Sequence, residues 1–200
     1  MPYFDVVAMR KSQLLAGIFA PIVALTGIGT AIFINRSWWR LTQNAISDLG
    51  RLGLPHNWVL NVSLVVSAVL GIYYSYGLMK ETRNVVERVG IGTFILGLVF
   101  LALIGIFPEG TSPHYYVSWG FFIFASLGFL VAGIGMGLSG EKGLALFSVA
   151  LFAVGWALAL WAKNSFPGIA PAEFVGVFGV ITWHYMVMWK KFRGAPRPRG

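Results

Sequence analysis

The chain has no cysteine, few charges and very little acid. Without cysteine there are no disulfides, no thiolate metal sites and no thiol nucleophiles. Charged residues make up 11% of the sequence and hydrophobic residues 57%, whereas a soluble domain carries roughly 25% charged residues. A surface this poor in charge is not built to face water. Seven acidic residues stand against fifteen basic ones, a net charge of +8. In a soluble protein that excess would suggest nucleic acid. Here the basic residues gather in loops and at the tail, so membrane topology accounts for them and no nucleic-acid partner is expected. The missing cysteine and the scarcity of Gln and Asn together give a thermophile-like composition.

What the sequence has is apolar length. A hydrocarbon core of about 30 Å takes about 20 residues of helix. Six stretches qualify: 13–34, 57–79, 88–107, 114–138, 143–162 and 171–189. The expected fold is all-α, a polytopic bundle of six transmembrane helices, read as a single membrane domain over 1–200. The run from Leu14 to Phe33 is long for a signal peptide, and no small-x-small site follows it, so it is read as a span that is retained. One side of the bundle would hold Arg10, Lys11, Lys80, Arg83, Arg88, Lys142, Lys190, Lys191, Arg193, Arg197 and Arg199, eleven basic residues. The other would hold Arg36, Arg40, Arg51 and Lys163, which is four. The positive-inside rule then places both termini in the cytoplasm of a multi-pass cell-membrane protein. The basic tail, 190–200, would lie against anionic headgroups.

Small residues recur at helical spacing. Ser63, Ser67, Gly71 and Ser75 form a stripe on the second span, and Ala16, Ala20, Ala24, Gly27 and Ala31 one on the first. Gly128, Ala132, Gly133 and Gly137 do so on the fourth. Lipid supplies no hydrophobic drive between helices, so such stripes read as close-packing seams.

Polar chemistry is confined to the outer loops and helix starts. Pro55-His56, Pro113-His114 and Pro171-Ala172-Glu173 each precede or open an outer end of a span. The first outer loop, about 35–56, carries a helical pattern. Trp38, Leu41, Ala45 and Leu49 fall on one face, and Arg40, Asn44, Ser47 and Arg51 on the other. A short amphipathic helix is expected there, stopped at Gly50. It would bring Asn44, Ser47 and Asp48 to the mouth of the bundle. His114 and Ser118 are i and i+4 and share a face. The expected outward-facing pocket comprises Asn44, Ser47, Asp48, His56, Glu109, His114, Ser118 and Glu173, with Asp48 and His114 as the candidate catalytic pair.

Three uses of this set are open. It could bind a lipid or small polar molecule at the outer leaflet, which is the leading reading. It could perform acid/base or metal-assisted chemistry on a lipid headgroup. It could be structural only. No HxxxH or HxxE pair supports zinc on Asp48, His56, His114 and Glu109, so neither a metal nor a cofactor is expected. No G-x-S-x-G elbow is present. Oligomeric state is not set by the sequence. His184 lies deep in the sixth span. It reads either as a functional ionisable group or as a neutral histidine bonded to a helix carbonyl.

Asn44 with Ser47-Asp48-Leu49-Gly50, Phe107-Pro108 closing the third span, and His114 opening the fourth carry a resemblance. The chain resembles the small prokaryotic membrane proteins grouped as "domain of unknown function 998". More remotely it is similar to the Frag/DRAM/Sfk group of six-helix proteins, some of them linked to lipid-anchor remodelling and lipid distribution. The resemblance implies a six-helix membrane fold and no established reaction.

Overall fold

A computed structural model describes residues 9–194, with side chains described to residue 190. The tail read as lying on headgroups lies, beyond Lys190, outside the described side chains. Six long helices follow one another: α1 (Lys11–Ile34), α2 (Trp58–Lys80), α3 (Val85–Ile106), α4 (His114–Leu138), α5 (Lys142–Ser165) and α6 (Ala170–Gly194). No strand occurs among the described residues. Five of the helices are long and apolar enough to cross a membrane. α6 is not among the five, because Glu173, Trp183, His184 and the basic end dilute it. It is as long as the others and packs with them. The protein is a helical multi-pass membrane protein.

The expected small-residue seams are where the helices touch. The Ser67 hydroxyl donates to the Ala20 carbonyl across α1 and α2 at 2.7 Å, and Gly27 lies against Ser63. The largest interface, α3 on α4, is built from more glycine than the fourth span alone supplies. Glu87 faces Gly135, Gly90 faces Ala132, Phe94 faces Gly128 and Gly97 faces Ala125, in one continuous antiparallel register. A Cβ at any of these glycines would meet backbone of the opposite helix. Close approach of this kind supplies van der Waals contact that lipid cannot replace.

Proline placement explains another contact. Pro21 lies inside α1. It has no N–H, so the carbonyl four residues earlier, Gly17, lacks its helical donor. His184 of α6 fills the gap: its Nε2–H donates to Gly17 O at 2.8 Å. Beside it, the Tyr185 hydroxyl donates to Ile18 O at 2.9 Å. The deep histidine is therefore a helix-to-helix tie of α6 to α1. Its ring lies 4.6 Å from that of Tyr74 on α2.

One end of the bundle gathers the start of α1, the 81–84 and 139–141 turns and the end of α6. Met9 N–H reaches Glu81, and Glu141 pairs with Lys190 at 3.2 Å and Arg83 at 3.9 Å. The other, the loop end, holds 35–57, 107–113 and 166–169. There the expected amphipathic helix does not form. The segment is a series of turns closed by a four-residue 3-10 helix, Ser47–Gly50. Asn44 Oδ1 accepts from Arg40 N–H at 2.9 Å, and Asp48 Oδ2 from Ala45 N–H at 2.9 Å. Such local bonds compete with helix. Trp39, Ile46 and Leu49 are buried, along with Asn35 and Gly50, while Trp38 and Leu41 are exposed.

The α5–α6 turn then docks on this segment. Gly168 N–H donates to Thr42 O and Ala170 N–H to Asn44 O, both at 2.9 Å. Leu52 N–H donates to Glu109 O at 2.8 Å. All three connections at the loop end are thus tied together by backbone.

Candidate functional site

α4, α5 and α6 leave a cavity of about 440 Å³ between them, covered at the loop end by residues 45–48 and 109–111. That volume lies within the roughly 300–1,000 Å³ of small-molecule sites. Its wall runs along α4 from His114 to Phe129. Fifteen residues of helix at about 1.5 Å each make it about 22 Å long on that side. The deep part is apolar and aromatic, with Phe122, Phe129, Phe152 and Val180. The Trp156 indole N–H, also on the wall, is satisfied by Ser126 Oγ at 3.2 Å. Two glycines leave the space open: Gly155 on α5 and Gly179 on α6 line it, and a Cβ on either would meet no atom within 4 Å.

Polar groups collect at the mouth: Ser47, Asp48, Glu109, Thr111, His114, Ser118, Lys163 and Glu173. His114 sits at their centre. Pro113 occupies the N-cap position, so His114 is the first residue of α4. Its Nδ1 lies 2.9 Å from Phe107 O. A carbonyl only accepts, so Nδ1 carries the hydrogen. Nε2 faces two groups, Ser118 Oγ at 3.2 Å and Glu109 Oε2 at 3.1 Å. The His114 side chain is buried, while that of Glu109 is 35% exposed, so the pair joins the cavity to its wet rim.

The expected pairing of Asp48 with His114 is not what the structure holds, and Glu109 takes that place. The Asp48 carboxylate is engaged elsewhere: Oδ2 accepts from Ala45 N–H and from Asn44 Nδ2 at 3.4 Å, and Oδ1 pairs with Arg51 at 2.6 Å. Asp48 is on the cavity wall but holds the loop in shape. Asn44 does not line the cavity, and works through Arg40, Asp48 and the Ala170 N–H. Glu173, in the first turn of α6, accepts from Ile46 N–H at 2.5 Å and so anchors the cover. His56 is not brought to the site. It is exposed, with φ of 61°, in the turn before α2. The helix starts only at Trp58, so Pro55 precedes a turn and not a helix end.

Sequence reasoning missed the deep wall. Trp119, Trp156, Gly155 and Gly179 fall in none of the patterns singled out from sequence alone. Lys163, set 5.6 Å over the Trp119 ring, is the cation of the mouth. The usable signal was the pair Gly176 and Gly179, one turn apart on the same helix as Glu173. Gly176 lets the Phe122 ring approach, and Gly179 leaves space.

The arrangement combines a long apolar shaft with a polar mouth holding both signs of charge. Among the described residues, no group of three or more His, Asp or Glu is placed to hold a metal ion. No characterised protein and no solved structure matches the chain. Residues 18–190 match the family described as "Protein of unknown function (DUF998)". That match runs from within α1 to near the end of α6 and takes in the whole mouth, and the chain belongs to this family.

Proposed function

We propose that the protein binds a membrane lipid, with one acyl chain in the shaft between α4, α5 and α6 and the headgroup at the mouth. The observation that carries this reading is the shape and chemistry of the cavity. A leaflet is about 15 Å of hydrocarbon, and below Ser118 the α4 wall from Trp119 to Phe129, ten residues at about 1.5 Å each, matches that depth. A water-soluble ligand would gain nothing from the phenylalanines at its end, whereas a chain buries apolar surface along all of it. The basic residues favour the end of the bundle opposite the mouth, which supports reading the mouth as lying in the outer leaflet and both termini as cytoplasmic.

The test is native mass spectrometry of the full chain purified from membranes in a mild detergent. Wild type is expected to retain lipid. Gly179→Phe and Gly155→Phe fill the shaft from open positions, so each is expected to remove bound lipid while the protein stays folded and monodisperse. Wild type that carries no lipid, and takes none up from added vesicles, would overturn the reading.

A further inference from the structure

Resting on that binding reading, we infer that Ser118 is a nucleophile and His114 its general base, acting on the carboxylic ester of a long-chain lipid in the cavity. The hydroxyl's choice of partner is the first support. Helical Ser and Thr can return their proton to a carbonyl of the preceding turn, as Ser63, Thr93, Ser126 and Ser148 do here, while Ser67 bonds a carbonyl of the neighbouring helix and Ser12 the Tyr73 hydroxyl. Ser118 instead meets an imidazole nitrogen. The second is the tautomer. Phe107 O holds the hydrogen on Nδ1, so in the neutral ring the Nε2 lone pair faces Ser118 Oγ. Nucleophile, base and a group that orients the base stand in sequence, as an activated serine requires. The third is Glu109. Its carboxylate lies 3.1 Å from the same nitrogen and is partly exposed; turned to water it leaves the Nε2 lone pair to Ser118, and turned in it pairs with the imidazolium that forms when Nε2 takes the proton.

The step balances with water. Ser118 Oγ attacks the ester carbonyl carbon as its proton passes to His114 Nε2. The C–O bond to the alcohol breaks, and the imidazolium returns the proton to the leaving oxygen, leaving an acyl group on Ser118. A water entering past the exposed Glu109 gives its proton to Nε2 and attacks the acyl carbon. Ser118 leaves with that proton. The products are a fatty acid and an alcohol. Lys163 is the cationic side chain on the same wall that could face the developing oxyanion.

The experiment treats the full chain in lipid nanodiscs with a long-chain alkyl fluorophosphonate, which loses fluoride to an activated serine. One phosphonyl adduct is expected, placed on Ser118 by tandem mass spectrometry. Ser118→Ala should carry none, and His114→Gln should label on the order of 100-fold more slowly, the low end of general-base effects. No adduct, or an adduct on another residue, would overturn the assignment. Should Ser118→Ala not fold, the position of the wild-type adduct decides alone. Lipid retained by the same samples reports on binding separately, so an unlabelled protein that keeps its lipid overturns the nucleophile and leaves the binding reading standing.

Discussion

Glu173 fastens the cover of the cavity through one hydrogen bond to a buried backbone N–H, that of Ile46. Glu173→Ala would leave that donor without a partner, at a cost of about 1–3 kcal/mol, whereas Glu173→Gln keeps an acceptor. Unfolding in a graded denaturing detergent is expected to rank the three as wild type, then Gln, then Ala. A second residue-scale test concerns Pro21. His184→Leu removes the donor to Gly17 O, and should cost about 1 kcal/mol or more in wild type. In a Pro21→Ala background the restored N–H supplies Gly17 from within α1, so the same change should cost less. A double-mutant cycle reads the difference, and additive effects would refute the account. The sequence marked His184 as deep and ionisable, and Pro21 was visible in the same letters. What joined them was the three-dimensional meeting of the first and last helices, which no local pattern reports. Likewise His114 and Ser118 were legible because i and i+4 share a face. Glu109 as the histidine's partner was not, since it depends on how the 107–113 turn folds back.

At the scale of the element, α3 and α4 meet through glycines whose missing side chains set the interhelical distance. Gly128→Val would place a branched side chain against the backbone of Phe94 and should destabilise the fold by about 3 kcal/mol or more. Gly29→Ala on α1, where nothing lies within 4 Å, should be close to neutral in the same assay. Apolar runs located the six helices, yet helix ends differ from the runs because polar residues can end a run without ending a helix. α5 continues through Lys163 and Asn164 to Ser165. α3 begins at Val85, since the Asn84 side chain accepts the Glu87 N–H at 2.8 Å and caps it. The amphipathic loop helix failed for the opposite reason, as its spacing suited a helix while Asn44 and Asp48 bound their own backbone. The turns Phe107-Pro108-Glu109-Gly110 and Phe166-Pro167-Gly168 are alike in sequence but use their glycines differently. Gly110 is needed for its φ of 94°, whereas Gly168 is needed because the backbone of Asn44 passes too close for a side chain.

For the whole molecule, the absence of cysteine is an experimental advantage. Single cysteines introduced at Asn164, at the loop end, and at Arg83, at the opposite end, report sidedness without a background. In intact cells a membrane-impermeant maleimide is expected to label Asn164→Cys and spare Arg83→Cys; the reverse pattern would invert the proposed topology. The tie between α6 and the Pro21 break in α1 has a further consequence, in the order of synthesis. The ribosome makes α1 first and α6 last. Without α6 the Gly17 carbonyl would lack the His184 donor, a costly state for a backbone group in lipid. The nascent chain therefore carries an open bond through five helices of insertion and closes it with the sixth. The first helix thus depends on the sixth for the partner of one of its own backbone groups.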